Sequence, residues 1–245
     1  MNNSYAIFVQ ARMSSTRLPG KVLTDIVGYP MLFRQLDRLS NMTDIPVIVV
    51  TSDHASDDPI ENMCASNGFT IFRGELNNVL SRFINAAVAH NISHIIRVGG
   101  DDPLIDPEAC IYLQDLHKEF GGDFLYASNR DGWPYGCACE LMSLDSLLDI
   151  RKRTSDELYL EHITPWFYSH RHDYEIKKIA APANKHRPEY YFSVDYPEDV
   201  ELIKTIFTRL IKKGDYFLLN DVINLCDQDP EILLVNKHLH SGFDE

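Results

Sequence analysis

Between Arg12 and Lys21 the chain reads RMSSTRLPGK, which sets Arg12, Arg17 and Lys21 among Ser14, Ser15, Thr16 and Gly20. Small residues let backbone N–H groups turn inward around an anion, and cations match its charge. That is the chemistry of a loop that cradles phosphates. The segment is not a P-loop: Ser15 stands where that motif needs its first glycine, and Val22 follows Lys21 instead of Ser or Thr. A plain surface loop with solvated cations is the competing reading.

Carboxylates supply the second kind of chemistry. VGGDDP carries Asp101 and Asp102, and SVDYPEDV carries Asp195. Pro197 suits the first position of a helix, so Glu198 and Asp199 fall in its first turn and favour the helix dipole. Asp195 precedes the expected cap at Tyr196 and has no such structural duty. Gly-Gly-Asp-Asp-Pro also reads simply as a turn. Magnesium takes few protein carboxylates, several waters and phosphate oxygens. Asp101 and Asp195, opposite a cationic loop, would suit it, but only the fold can bring together residues so far apart in sequence.

The elements expected to position these residues alternate. Apolar runs at 6–9, 46–52, 69–72, 94–101 and 123–128 read as buried strands. Helical patterns fill 30–40, 57–67 (closed by Gly68), 78–91 and 107–119. This predicts a mostly parallel sheet between helices, with ligands beyond the carboxyl ends of the strands. Polar, glycine-rich punctuation follows each of the first four strands there. Beyond 129 the pattern loosens. A loop and a short strand fill 129–143, and 156–170 is helical in part. Strand-like alternation marks 174–182 and 190–195, a helix covers 197–213, and one or two short helices lie in 216–236.

The 245 residues carry a net charge of -13, which argues against a general nucleic-acid binder, while local cations still permit a nucleotide. Five cysteines, an odd and widely spaced set, do not make a disulfide framework. Cys137-Ala-Cys139 lacks a partner pair at zinc spacing and reads as buried thiols. No apolar run approaches membrane-spanning length and the start lacks a signal-peptide pattern, so a cytoplasmic protein is expected.

In order along the chain occur VQARMSSTRLPGKVL, RG(x)4VL(x)R from Arg73 to Arg82, GGDDP, PYG(x)3E from Pro134 to Glu140, EHITP at 161–165 and VDYPEDV. This set resembles the cytidylyltransferase family that activates acidic sugars, nearest its spore-coat polysaccharide branch, with CMP-sialic acid and CMP-Kdo synthetases as relatives. The resemblance implies one α/β domain over 1–245, a three-layer α/β/α fold with a mostly parallel mixed sheet like that of the nucleotide-diphospho-sugar transferases. It implies a homodimer, with a dimerisation and sugar-side segment around 129–182, and CTP and Mg2+ as nucleotide and metal. It places Gln10, Ala11, Arg12 and Ser15 near the base and phosphates, Arg17 and Lys21 on the β- and γ-phosphates, and Arg73 and Gly74 near the nucleoside. Asp101 and Asp195 become the metal ligands, and Arg12, Lys21, Asp101 and Asp195 the catalytic set. Tyr135, Gly136, Glu140, Glu161 and His162 face the acceptor.

The expected reaction transfers CMP from CTP to an acidic sugar, a keto-deoxy acid by default, and releases pyrophosphate in surface polysaccharide synthesis. The general base is open between Asp102, a hydroxide held by the metal, and His162, for which a structural role is the alternative. Asn77, Asn78, Asp102 and Cys137-Ala-Cys139 depart from the family's usual residues, which leaves the acceptor open. A glycosyltransferase using a ready-made nucleotide sugar and a non-catalytic nucleotide-binding subunit are the other readings. No nucleic-acid or membrane partner is expected.

Overall fold

The computed structural model describes residues 4–211 and 216–240. Its elements run β1 (Tyr5–Gln10), β2 (Asp25–Ile26), β3 (Tyr29–Pro30), α1 (Met31–Met42), β4 (Val47–Ser52), α2 (Asp58–Asn67), β5 (Thr70–Gly74), α3 (Val79–Ala89), β6 (His94–Gly99) and α4 (Pro107–Phe120). They continue with β7 (Phe124–Tyr126), β8 (Glu140–Ser143), α5 (Leu144–Arg153), α6 (Glu157–Glu161), α7 (Thr164–Ser169), β9 (Ile176–Lys178), α8 (Pro197–Leu210), α9 (Leu219–Gln228) and α10 (Leu234–Lys237).

Seven strands form one sheet in the order β5-β4-β1-β6-β8-β7-β9, and β2 pairs with β3 in a small hairpin. β8 runs antiparallel to both its neighbours, and the other pairings are parallel. The strands are apolar on both faces because both faces are covered. Ile7 and Val9 join a core with residues of α1, α2, α4, α8 and α9. Ala6 and Phe8 point the other way, into a core with α3, α5 and α7. The expected three-layer, mostly parallel mixed sheet is the one observed.

Two expectations need correction. The stretch 190–195 is extended but joins no sheet; a single bridge pairs Tyr191 with Tyr135. Tyr190 to Val194 are all buried, so the alternation of residue types in this stretch does not correspond to one buried and one open face. The strand expected at 174–182 is only Ile176–Lys178 long. Helix α5 adds to the expected elements: Ser143 caps it by accepting the Ser146 N–H, and Arg151, Lys152 and Arg153 close its last turn. The expected helix 197–213 is observed to Leu210, and residues 212 and 213 lie outside the described set.

All five cysteines are free and buried, as expected. Among the described residues no helix is long and apolar enough to cross a membrane.

Candidate active site

β1 lies between β4 and β6, which leave it on opposite sides of the sheet, so their carboxyl ends splay into a crevice. The cationic loop leaves β1 into this crevice. Its path is fixed from below by Asp57, a fully buried carboxylate. Asp57 accepts the Met13 N–H at 2.7 Å, the Thr51 hydroxyl at 3.2 Å and the Ser52 N–H at 3.3 Å, and also bonds the Ser52 hydroxyl. The loop then closes with the Gly20 N–H on the Met13 carbonyl at 2.9 Å.

Lys21, only 7% exposed, comes next in a short helical turn. Its ammonium donates to Asp101 Oδ2 at 2.7 Å, Asp195 Oδ1 at 2.9 Å and the Val194 carbonyl at 2.7 Å. The two distant aspartates therefore do converge on one point. Burial alone would lower the lysine's pKa, but the two carboxylates outweigh it and raise the value. Burial alone would raise Asp195, but Lys21, the Tyr191 hydroxyl and Arg17 hold it below the usual carboxylate range. Arg17 reaches Asp195 Oδ1 at 2.8 Å while lying over the Tyr196 ring.

Backbone contacts lock this convergence. The Val194 N–H donates to the Asp101 carbonyl at 2.9 Å, tying the two acidic segments together. Asp199 accepts the N–H groups of Asp195 and Tyr196 with Oδ2, and bonds Asn236 and His240 through Oδ1. Its role exceeds the helix-dipole duty that the sequence suggests. A Cβ at Gly99, at the end of β6, would stand 2.5 Å from Asp101 Oδ1 and 2.6 Å from Asp102 Oδ2, so any side chain there would displace these carboxylates from their present positions. Gly136 has φ +82, and a Cβ would meet the Ser193 N at 2.6 Å.

Two cavities meet at this centre. The first, about 330 Å³, is lined by Gln10, Arg12, Ser14, Ser15, Thr16 and His162. The second, about 380 Å³, is lined by Asp102, Tyr135, Gly136, Glu140 and Ser193 among others. Arg17, Arg97, Gly99, Asp101 and Asp195 border both. In the second cavity, enclosure and the Asp101 charge push Asp102 up to about 7. Burial and the Asp102 charge likewise push the Tyr135 hydroxyl up to about 12.

Most of the anticipated residues gather here, and some do not. Gln10 accepts from Arg97 Nε at 3.1 Å, and the Ser15 hydroxyl accepts the Leu18 N–H at 3.3 Å. Tyr135, Gly136 and Glu140 line the second cavity. His162 lines the first instead, and Glu161 pairs with Arg12 at 3.2 Å across that cavity's edge. Ala11 is buried, its backbone bonded to Val50 and its side chain packed at Gly100. Arg73 lines neither cavity: Asp58, Glu61 and the carbonyls of Ser52 and His54 hold its guanidinium. Gly74 lies against Phe72 and Arg82, also away from both cavities.

Three residues in or beneath the site carry no role read from the sequence: Asp57, Arg97 and Arg82. Arg97, the one charge inside the apolar run of β6, pairs with Glu140 at 2.8 Å because antiparallel β8 sets the two side by side. Arg82 is 1% exposed, and none of its guanidinium nitrogens has a hydrogen-bond partner among the described residues. Burial and the nearby charge of Arg12 lower its pKa. The signal that could have found it is its place as the last position of RG(x)4VL(x)R.

The donor set fits a hard divalent cation. Carboxylate and carbonyl oxygens are the ligands magnesium prefers, and they already surround one positive charge, the Lys21 ammonium. Among the described residues no cluster of three or more His, Cys, Asp or Glu side chains forms a complete metal cage. Magnesium needs no such cage when substrate phosphates and water complete its shell.

A doubly covered α/β sheet with a cationic loop at the switch point and paired aspartates opposite it defines a nucleotide-handling transferase. A cytidylyltransferase family profile matches residues 6–224. The spore coat polysaccharide biosynthesis protein SpsF of Bacillus subtilis is 32% identical over 241 residues, covering 94% of this chain and 96% of that protein. The 3-deoxy-manno-octulosonate cytidylyltransferase of Photorhabdus laumondii is 34% identical over 108 residues, 42% of each chain. A cytidylyltransferase structure from Leptospira borgpetersenii superposes with TM-score 0.88 at 28% identity, over 94% of this chain and 96% of that one. A CMP-Kdo synthetase structure, at 17% identity and TM-score 0.63, shares the fold over 84% of this chain and 99% of its own. The chain belongs to the cytidylyltransferase family and is an enzyme of that class.

Proposed function

We propose that the protein transfers CMP from CTP to an acidic sugar, by default a keto-deoxy acid, as a cytoplasmic step in building a surface polysaccharide. The observation that carries this reading is the pair of cavities meeting at Asp101, Asp195 and Arg17: one basic and loop-lined, one lined by groups that hold hydroxyls. In the first, Arg12, Arg17 and Lys21 bind the triphosphate, and Ser14, Ser15 and Thr16 offer backbone N–H groups. Arg82, buried without a hydrogen-bond partner among the described residues, lies beneath the loop near Arg12 and adds its positive charge to the phosphate side without lining the cavity. In the second, Glu140, Tyr135 and Asp102 orient the acceptor.

The acceptor oxygen attacks the α-phosphorus, a new P–O bond forms, and the bond to the β-phosphate's bridging oxygen breaks. Such chemistry depends on alignment and on stabilising spread negative charge. Arg12, Arg17 and Lys21 hold the charge that accumulates on departing pyrophosphate. Mg2+ held by Asp101 and Asp195 would supply further charge neutralisation on the phosphates. Asp102, raised toward neutrality and bordering the acceptor cavity, is the residue best placed to take the acceptor's proton. We propose further that the chain pairs as a homodimer through the 129–182 segment, covering the exposed Leu158, which sedimentation velocity reads directly.

The test is pyrophosphate release over a grid of four nucleoside triphosphates and a panel of acidic sugars, with UDP- and GDP-sugars as controls. Release from CTP with an acidic sugar supports the reading. Turnover of a nucleotide sugar, or CTP binding without release on any acceptor, replaces it.

A further inference from the structure

A third cavity, about 760 Å³, opens beside the acceptor cavity and shares Ser128 and Asn129 with it. Its volume is in the range of small-molecule sites. The rings of Tyr126 and Tyr168, with Ile176, make its apolar floor, and Arg130, Arg171 and Lys178 stand around it. Those three cations come from three places: the turn after β7, the end of α7 and the edge strand β9.

With a net charge of -13, carboxylates outnumber cations. Nearby, Arg153 is paired with Asp149 and Asp173, and Lys177 with Glu175. None of Arg130, Arg171 and Lys178 forms an ion pair among the described residues, although Arg171 Nε donates to the Tyr168 carbonyl and the Lys178 ammonium lies over the Tyr126 ring. Like charges ringing one hollow repel, and an anion within it offsets that repulsion.

The acceptor cavity next door has the opposite balance. Asp101, Asp102, Asp195 and Glu140 face it, against Arg17 and Arg97, and Arg97 is already bonded to Glu140. Carboxylates accept hydrogen bonds from hydroxyls and repel a second carboxylate or phosphate. A ligand bearing both hydroxyls and an anionic group has a place for each, in adjoining cavities.

We propose that the acceptor spans both cavities: its hydroxylated part lies in the inner one, and an anionic group remote from the attacking oxygen lies in the outer one against Arg130, Arg171 and Lys178. This rests on the proposed transferase activity and specifies its acceptor as a molecule that carries a carboxylate or phosphate at its far end, distinct from the carboxylate that a keto-deoxy acid holds beside its attacking hydroxyl.

The experiment measures binding to the full chain saturated with CTP, so that the phosphate loop is filled. The probes are glycerol 3-phosphate and glucuronate, with glycerol and glucose as neutral counterparts, followed by calorimetry. The anionic probes are expected to bind at least tenfold more tightly than the neutral ones. The double variant Arg130→Ala/Lys178→Ala, both exposed residues, is expected to lose that preference about tenfold while keeping its CTP affinity and circular dichroism. Equal probe binding by wild type and variant overturns the proposal. So does loss of probe binding in Arg12→Ala alone, which would locate the anions at the phosphate loop. Sedimentation velocity supplies a further check: a wild-type dimer that the variant dissociates, with no probe bound by either, makes this hollow an interface between copies and refutes the proposal. Calorimetry needs no turnover, so absence of pyrophosphate release would count against the activity and leave the anion result standing.

Discussion

Lys21 is the cation on which two distant acids converge, and its three oxygen partners explain why the residues tolerate one another in a small volume. Asp101→Asn keeps the shape and the hydrogen-bond reach but removes a charge. It is expected to lower turnover by about 10²–10³ with an unchanged melting temperature within a few degrees, read by pyrophosphate release and thermal unfolding. Arg82 separates binding from stability. A buried guanidinium without partners destabilises the free protein, so Arg82→Met should leave stability equal or higher while CTP affinity falls at least tenfold by calorimetry. A purely structural arginine would show the reverse. At the opposite end of β6, burial and the neighbouring His117 push His94 down to about 4. The unfolded chain takes up that proton near pH 6.5. The neutral ring's contribution is therefore fully present above pH 6.5 and lost as pH falls from there through 4. Solvent screens the open side of this half-buried ring, so His94→Gln should flatten that loss by about 1–3 kcal/mol in denaturant titrations at about pH 7 and about pH 4.5.

At this scale the sequence is legible where a residue has no structural excuse. Asp195 stands out because Tyr196, Pro197 and Asp199 already account for the helix start beside it. Asp57 and Arg97 do not stand out, because a buried ion looks in sequence like a solvated one. Only the strand and loop packed against each of them reveals the desolvation.

Among elements, short loops are where the site is held. Asp57 is the clearest lever, as one carboxylate satisfies donors from the cationic loop and from the end of β4. Asp57→Ala leaves those buried N–H and hydroxyl groups without an acceptor, which costs about 1–3 kcal/mol in unfolding free energy. The freed loop should also bind CTP several-fold more weakly, and both effects are measurable on one preparation. Periodicity finds the parallel strands because a short run that is apolar on both faces needs a sheet covered on both sides. It misses α5, which follows directly on β8 and leaves no loop to announce it. It misreads 190–195, where every residue from Tyr190 to Val194 is buried although the stretch joins no sheet. Antiparallel β8 carries no signal of its direction, and that direction is what sets Glu140 beside Arg97.

For the whole molecule, the phosphate side can be anticipated from local composition, since its cations lie within one loop. The acceptor side cannot, because its lining is assembled from β6, the 127–140 stretch, β8 and the 193–195 segment. The outer cavity depends on the sheet's far edge and has no motif at all.

The sulfur chemistry of the molecule follows from its packing. Cys64, Cys110, Cys137, Cys139 and Cys226 sit in the interior with no crosslink between them. Burial, with the acidic neighbour Glu61, pushes the Cys64 thiol up to about 12, and burial with Asp227 and Asp229 does the same for Cys226. A maleimide added to the native enzyme should therefore find nothing to alkylate until the chain opens, and mass spectrometry would then record adducts on several positions together. The cadence of that labelling would serve as an intrinsic clock of global opening. Slowing on addition of nucleotide would reveal how firmly a bound ligand keeps the interior shut.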